Sequence, residues 1–168
     1  KDPKNPQFQS VFAVESMQSG DYATALKAFD SILKIIPEDP VTLTSRGTVL
    51  KTTGQTDEAI ESYRRAIKKY QGHGEAYYSM ANLKLFSFSE EEIAIMEAQK
   101  NNLGISHMSR VYINFALGKA YEDKGLFEKS FEHYELGNSY KKAQSRYKSN
   151  ELTDEFQAQA DVFDDAFV

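Results

Sequence analysis

Small, apolar and aromatic residues recur in one fixed order along the chain. Three glycines, Gly20, Gly54 and Gly125, each follow a small residue by seven positions and precede an aromatic residue by nine. The first two glycines are 34 residues apart and the last two are 71 apart, close to twice that interval. The small residues are Ala13, Gly47 and Gly118, and the aromatic residues are Phe29, Tyr63 and Tyr134. Because small side chains let antiparallel helices approach closely and large rings fill the seam beside them, the pattern predicts repeated helical hairpins.

This order of residues resembles the tetratricopeptide repeat, a helix–turn–helix unit of about 34 residues in which the glycine ends the first helix in the left-handed conformation. The resemblance implies an all-α fold, a right-handed superhelix (α-solenoid) of about four repeats with a C-terminal capping helix. Asn5-Pro6 and Asp39-Pro40 are typical helix starts, since each sets a capping side chain before a proline. Within an array spanning residues 1–142, the repeats are placed at 6–39, 40–73, 74–110 and 111–142.

The third repeat departs from this pattern. Phe88 stands where the turn glycine is expected, and about three residues are inserted before the fourth repeat. Residues 89–92 have the sequence of a capping box, which predicts a second helix through about Asn101. Ser106 or Ser109 is a candidate cap for the helix that follows.

The end of the chain separates into a basic and an acidic segment. The last helix of the array is predicted to continue to about Tyr147, and residues 141–148 hold four basic residues and no acid. Residues 151–168 hold six acids and no base. Their apolar residues recur at helical spacing and are Leu152, Phe156, Val162, Phe163 and Phe167. We therefore predict that residues 143–168 are a helical extension and a capping helix, not a separate domain, and that the capping helix covers the open end of the solenoid.

Composition narrows the class of protein further. The 168 residues suffice for one domain or a short repeat array. A net charge of −5 opposes contact with phosphate backbones, so a nucleic-acid partner is not expected. The absence of cysteine excludes disulfides and thiolate zinc sites. No apolar run approaches the ~20 residues of a membrane span, so we expect a soluble, cytoplasmic protein without membrane contact.

Three stretches in the second half carry a narrower resemblance. Residues 81–93, 114–123 and 131–138 are similar to the repeat region that precedes the sulfotransferase domain in bacterial tetratricopeptide repeat–sulfotransferase proteins. The resemblance implies that the chain is the N-terminal interaction part of a larger, sulfotransferase-like protein. In that family the loop that cradles the phosphosulfate donor follows these repeats, so we expect it beyond Val168, and no catalytic residue is carried over.

Residues with catalytic or metal-binding chemistry form no recognised motif. A phosphate-binding loop is absent, and the spacing of His73, His107 and His133 matches no metal site. The first two histidines fall in predicted linkers, and His133 is expected to be an ordinary surface or half-buried helical residue. The acids at 90–92 are explained by the dipole of a helix start, and the basic residues at 141–148 by local charge pairing. We therefore expect no enzymatic activity, metal or cofactor.

With no catalytic or metal-binding motif, the candidate functional surface is a groove. In tetratricopeptide repeat proteins this groove is lined by the first helix of each repeat. Carried over position by position, the candidate residues are Ser10, Val14 and Met17; Thr44, Thr48 and Lys51; Tyr78, Asn82 and Leu85; and Tyr112, Phe115, Lys119 and Glu122. Hydroxyls, aromatic rings and two lysines suit an extended peptide or a helix. The carboxylate clamp of chaperone-binding members is missing, because its places hold Ser10, Val14, Thr48, Tyr78 and Asn82. Alternatively, Tyr78, Leu85 and Phe115 pack between repeats or against another domain.

These observations predict a non-catalytic protein–protein interaction scaffold that binds a protein or peptide in the groove. In this interpretation the chain holds a substrate protein or an assembly partner near a sulfotransferase active site. The alternative is a free-standing tetratricopeptide adaptor with no attached enzyme. A homodimer through exposed repeat faces is a further possibility.

Overall fold

Helices account for all the regular structure that can be described. The computed structural model describes residues 5–83, 85–144 and 149–162, and over these ranges the chain forms nine helices and no strand. In chain order they are α1 (Pro6–Gln18), α2 (Tyr22–Ile35), α3 (Pro40–Thr52), α4 (Thr56–Lys69), α5 (Gly74–Ala81), α6 (Glu90–Lys100), α7 (His107–Asp123), α8 (Phe127–Gln144) and α9 (Ser149–Val162). The predicted all-α class is confirmed. The predicted continuation of α8 through 145–147 and the last predicted helical residues, 163–168, lie outside the described residues.

Short polar side chains begin the helices where the sequence predicts. The carboxylate or amide oxygens of Asn5 and Asp39 each accept a backbone N–H from the first helical turn, at 2.9 and 2.8 Å. Ser89 forms the predicted capping box at the start of α6. Of the two candidates for α7, Ser106 is the cap, since its hydroxyl oxygen accepts the backbone N–H of Ser109 at 3.0 Å. These bonds satisfy N–H groups that a helix start otherwise leaves without a partner.

The three repeating glycines close the first helices of their hairpins. Gly20, Gly54 and Gly125 have φ angles of 82°, 83° and 70°, in the left-handed region where a side chain is strained. After each of them, the next backbone N–H donates to the carbonyl five residues back, at 2.8 to 2.9 Å. This is the bond of the Schellman motif, and it turns the chain directly into the second helix.

The small residue seven positions before each turn glycine lies against the aromatic ring of the second helix. A Cβ added at Gly47 would lie 2.6 Å from the ring of Tyr63, and one added at Gly118 would lie 2.7 Å from the ring of Tyr134. Neither distance is possible for real atoms, so the helices pack more closely than any larger residue allows. The predicted pairing of small residue and aromatic ring is thus a direct contact within the hairpin.

The third repeat is opened rather than closed into a tight hairpin. Eight residues, 82–89, connect α5 to α6, whereas three residues connect the two helices of each other hairpin. Among the described residues, no Cα of α5 lies within 8 Å of a Cα of α6, and α5 packs instead on α7 and α4. The buried side chains of Met80, Phe88 and Met96 fill the space that results. Phe88, which stands in place of the turn glycine, is thus part of the main apolar cluster rather than of a tight turn.

Each pair of helices buries its apolar side on the next pair. The main apolar cluster runs from α3 to α7 and includes Leu43, Tyr63, Tyr77 and Leu117. A smaller cluster around Phe29 joins α1 and α2 to α3. Packing continues along the chain from α2 to α3, from α4 to α5 and from α6 to α7. Contacts between neighbours in sequence order are the arrangement of a helical solenoid.

Within the described residues, the last helix, α9, makes no contact that would cover the end of the array, as the sequence predicted it to do. Its described side chains are all exposed, with Phe156 and Val162 at 61% and 63%, and within the described ranges it packs on no other helix. Over the residues described, no helix combines the length and the apolar character needed to cross a bilayer.

Candidate functional site

Aromatic side chains from two neighbouring first helices form a continuous row. The rings of Tyr78 on α5 and Tyr112 on α7 are stacked, with centroids 5.0 Å apart and an angle of 26° between their planes. Phe115, one helical turn after Tyr112, lies 6.1 Å from the ring of Tyr78. Tyr78 is 37% exposed, so part of the row faces solvent. Three residues predicted from the sequence are thus brought together.

Tyr134, on the second helix α8, extends this row. Its ring centroid lies 6.4 Å from that of Phe115, and its hydroxyl donates a hydrogen bond of 2.9 Å to the carboxylate of Glu122. Burial, together with this bond to Glu122 and the carboxylate charge, raises the pKa of Tyr134, so the phenol stays protonated. Glu122, which the sequence assigned to the groove, therefore orients a ring of the row.

A cleft of about 290 Å³ opens beside the aromatic rings. It is called the aromatic cleft below, and its lining residues are Tyr78, Ala81, Asn82, Phe115, Lys119, Tyr134 and Lys141. Lys119 forms an ion pair with Asp123, one turn along α7. Lys141 is exposed and has no ion-pair partner among the described residues, which leaves its charge available to a ligand.

Two lining residues of the aromatic cleft, Tyr134 and Lys141, were missed because the groove was assigned to first helices alone. Tyr134 holds the place of Phe29 and Tyr63 in the earlier repeats, and both of those rings are buried. In the earlier repeats a following first helix packs over this place, whereas no described helix packs on α8 except α7. Tyr134 belongs to the last repeat of the array, and that place in the sequence could have identified its ring as partly accessible.

The middle of the predicted groove is turned inward. Thr44 is only 2% exposed, and its hydroxyl lies 2.8 Å from Nε2 of His73, so its side chain belongs to the interior rather than to a binding surface. The half-buried hydroxyl of Thr48 donates to the carbonyl of Thr44 at 3.1 Å and lies 3.4 Å from the hydroxyl of Tyr63. Both threonines are therefore engaged within the fold.

The first predicted triplet lies at the other end of the array. Ser10, Val14 and Met17 are half-buried on α1, and the last two pack against the smaller apolar cluster. None of the three lines the aromatic cleft. The structure thus separates these residues from the aromatic row.

Lys51, Asn82 and Leu85 line a second cleft, of about 780 Å³, at the ends of the hairpins. The sequence placed Leu85 on the same helix as Tyr78, but α5 ends at Ala81 and Leu85 is fully exposed on the connection that follows. The helix ends there because the amide of Asn82 donates back to the carbonyl of Tyr78 at 2.8 Å, while Leu83 is drawn into the core. Asn82 lies between the two clefts and lines both.

His133 is buried, not at the surface or half-buried as the sequence suggested. Its Nδ1 lies 3.0 Å from Oδ1 of Asn114, and its Nε2 lies 3.1 Å from Oε1 of Glu97. The hydroxyl of Tyr121 donates to the same oxygen of Glu97 at 2.8 Å, and its ring stacks on the imidazole. Burial lowers the pKa of His133 from its ordinary value, although the charge of Glu97 opposes that shift.

Glu97 is the centre of this polar network. Burial raises the pKa of its carboxyl, but hydrogen bonds from Lys100 and Tyr121 and the charge of Lys100 outweigh burial, so the pKa is lowered. The network joins α6, α7 and α8, and none of its residues lines the aromatic cleft. Its geometry supports a role in holding the helices together rather than in binding a ligand.

The other two histidines also have neighbours within the fold. His73 lies in a connection, as predicted, but His107 is the first residue of α7 rather than part of a linker, and its Nε2 lies 2.8 Å from the carbonyl of Tyr140. In the ranges that the structure describes, no group of three or more histidines and carboxylates is arranged to hold a metal ion.

Comparison with known proteins gives a consistent result. The family model of the tetratricopeptide repeat matches residues 42–68, which run from α3 to α4. The small glutamine-rich tetratricopeptide repeat-containing protein 2 of Mycosarcoma maydis is 29% identical over 86 residues. Those residues are 51% of this chain and 24% of that protein, so the chain spans about a quarter of its length.

Solved structures share the fold at low sequence identity. The crystal structure of MamA has a TM-score of 0.61 at 19% identity, over 87% of this chain and 84% of that one. A MamA structure that starts at residue 41, from Desulfovibrio magneticus RS-1, has a TM-score of 0.57 at 19% identity, over 85% and 79% of the two chains. Together with the helix order and the turn glycines, these structures support the fold of a helical solenoid, and the family model identifies a tetratricopeptide repeat at residues 42–68.

Proposed function

We propose that this chain is a non-catalytic protein–protein interaction module that binds an extended peptide segment of a partner in the aromatic cleft. The observation that carries the proposal is the row of rings from Tyr78 to Tyr134, partly open to solvent beside a cleft. Aromatic anchors that remain partly exposed in a free protein are typical centres of binding energy. A tetratricopeptide fold suggests the same class of function.

The polar groups around the cleft define the kind of peptide that fits. Asn82 uses one amide N–H on the carbonyl of Tyr78, which leaves its side-chain oxygen to accept a hydrogen bond from a peptide N–H. Lys141 supplies a cation without an ion-pair partner among the described residues, and the rings supply apolar surface. The peptide we expect therefore carries an apolar or aromatic side chain next to an acidic one.

A peptide selection on the whole chain tests this proposal. Peptides selected from a random display library are titrated against the wild-type chain and against Tyr78→Ala, with binding followed by fluorescence polarisation. We expect the dissociation constant to rise about 10-fold or more, since removal of an aromatic anchor costs about 2 kcal/mol. Phe8→Ala is the matched control, because Phe8 is an exposed aromatic residue on α1, outside the cleft.

Two results would contradict the proposal. Equal binding by the wild-type chain and Tyr78→Ala would place the peptide elsewhere, and an effect of Phe8→Ala as large as that of Tyr78→Ala would mean non-specific contact with exposed rings. Thermal melting of each variant separates a loss of binding from a loss of folding.

The association with a sulfotransferase domain is a finer proposal, and it is supported by the resemblance of residues 81–93, 114–123 and 131–138. In this case the bound partner would be held near an active site supplied by another domain. The coding region beyond Val168 tests it: a following glycine/serine-rich loop for the phosphosulfate donor supports the association, and a stop codon there favours the free-standing adaptor. In either case we expect no heat of binding when the donor is titrated into this chain.

A further inference from the structure

The contact between the first two hairpins shows what packs beside the beginning of a second helix. Tyr22 and Leu26, in the first half of α2, are half-buried against the smaller apolar cluster, which includes Val49 of α3. Val49 belongs to the last turns of α3, a helix of 13 residues that packs on α2. The last turns of this first helix are therefore part of the apolar contact that covers the beginning of α2.

The contact between the second and third hairpins leaves the equivalent space open. Helix α5 begins at Gly74, 34 residues after the start of α3, but it has 8 residues where α3 has 13. Thr56, the first residue of α4, is exposed and stands where α2 begins with Tyr22. A shorter first helix and a smaller side chain thus coincide at the cleft of about 780 Å³ described above. It is called the hairpin-end cleft below.

The wall of the hairpin-end cleft is largely apolar. Ile60 and Phe86 are half-buried against the main apolar cluster, and Leu85 is fully exposed beside them. The guanidinium of Arg64 lies 5.7 Å from the centre of the Phe86 ring and pairs with Glu92 at 2.8 Å, so its charge is compensated within the fold. An exposed leucine next to a half-buried ring is surface that an apolar side chain of a ligand can cover.

The charges that line the two clefts differ. Within the described residues, neither Lys51 nor Asp57 of the hairpin-end cleft has an ion-pair partner, so this cleft offers one charge of each sign. The described lining of the aromatic cleft includes Lys141 and no carboxylate. The aromatic cleft therefore favours an acidic side chain, whereas the hairpin-end cleft selects by its apolar wall rather than by charge.

Asn82 connects the two clefts, because it lines both of them. Its side chain is exposed, and its amide donates to the carbonyl of Tyr78 at 2.8 Å. That bond holds the side chain in place and leaves its oxygen to accept a backbone N–H from a bound peptide. A peptide that leaves the aromatic cleft over Asn82 therefore enters the hairpin-end cleft.

We propose that the partner's peptide continues from the aromatic cleft across Asn82 and places a second apolar side chain in the hairpin-end cleft. This inference rests on the proposed function, because the aromatic cleft holds the first part of the same peptide. The ligand class is then an extended segment with an acidic and an apolar residue at one end and a large, uncharged apolar residue at the other. The second side chain lies beside the beginning of α4, where α5 is too short to pack.

Shortened peptides and a substitution in each cleft test the inference. Each peptide selected from a random display library against residues 1–168 is synthesised whole and as two halves, and binding is followed by fluorescence polarisation. We expect the whole peptide to bind about 10-fold more tightly than either half. Leu85→Ala should raise the dissociation constant of the whole peptide about 5-fold, and Tyr78→Ala should raise it further. The half that is sensitive to Tyr78→Ala should bind Leu85→Ala as it binds the wild type.

Two more variants make the comparison specific. Leu103→Ala is the matched control for Leu85→Ala, since Leu103 is 91% exposed and lines neither cleft. Thr56→Tyr supplies the ring that α2 carries at the same place, so it should fill the hairpin-end cleft and reduce the affinity of the whole peptide to that of the half sensitive to Tyr78→Ala. Thermal melting of each variant checks that the fold is retained.

The results distinguish this inference from the proposed function. Unchanged binding of the whole peptide to Leu85→Ala or to Thr56→Tyr would overturn the inference, while a loss on Tyr78→Ala would leave the proposed function in place. Unchanged binding to Tyr78→Ala would overturn both. An effect of Leu103→Ala equal to that of Leu85→Ala would also contradict the inference, because it would show non-specific contact with exposed leucines.

Discussion

Buried polar contacts at single residues tie the last three helices of the array together. Both ring nitrogens of His133 face oxygen acceptors, on Asn114 and on Glu97. The amide of Asn114 donates to the carbonyl of Arg110 at 2.9 Å, which fixes its oxygen toward the imidazole. A buried network of this kind stabilises one arrangement of helices, and its contribution depends on the charge of each member.

The charge state of the network predicts how stability changes with pH. The pKa of His133 is lowered by burial from 6.5, so the unfolded chain takes up a proton at a higher pH than the folded chain. The pKa of Glu97 is lowered from 4.5, so the unfolded chain binds this proton more readily than the folded chain does. Protonation of Glu97 therefore also reduces the stability of the fold, at lower pH than protonation of His133. We therefore expect the free energy of unfolding in urea to be highest above pH 7, and to fall as the pH is lowered from 6.5 to 4.

His133→Gln separates the histidine from the other titrating groups. Between pH 7.5 and 5.5 this variant should lose less stability than the wild type, because it removes the residue that takes up the proton. His107→Gln is the control, since it makes the same substitution at an exposed histidine outside this network. A wild-type stability that is constant or rises on acidification would show that protonation of His133 does not oppose folding.

The sequence identified the small residues and rings that pack within the hairpins, but not the partners of His133. The contact of Gly47 with Tyr63 could be predicted because the same spacing of small residue and ring recurs in the other repeats. Glu97 and His133 are 36 residues apart and belong to the irregular third repeat and the last one. No periodic signal connects them, because the contact depends on how far α6 is displaced from α5.

At the scale of the element, local capping explains most helix ends. The start of α6 combines a capping box with an ion pair, since the carboxylate of Glu92 accepts from the backbone of Ser89 and pairs with Arg64 on α4 at 2.8 Å. Local bonds of this kind depend only on residues three positions apart, which is why the sequence predicted this start correctly. The end of α5 was not predictable in that way, because burial of Leu83 and Phe88 draws the chain out of the helix.

Ser89→Ala tests the importance of the capping box to the opened third repeat. The substitution removes the oxygen that accepts the backbone N–H of Glu92, so we expect a loss of about 1 kcal/mol in the free energy of unfolding. Ser87→Ala, an exposed serine in the same connection, is the matched control and should change stability by less than about 0.5 kcal/mol. Equal stability of the two variants in urea denaturation would mean that the long connection, not the cap, determines where α6 begins.

The array as a whole places its accessible aromatic row in the second half. The sequence treated four repeats as equivalent and assigned a groove along all of them, but the hydroxyls of Thr44 and Thr48 are engaged inside the fold. Repetition predicts the position of a backbone along the solenoid, whereas exposure depends on what packs over each position. Tyr78 and Tyr134 remain accessible because the third repeat is opened and no described helix other than α7 packs on α8.

Chemical-shift mapping of the whole chain gives the most direct test of the proposed binding surface. A selected peptide is titrated into the isotope-labelled chain, and the amide and aromatic resonances are followed. The proposal predicts the largest shifts at Tyr78, Phe115, Lys119 and Tyr134, with little change along α1 and α2. Shifts concentrated at Phe8 and Phe12, or no saturable shift in the aromatic cleft, would contradict it.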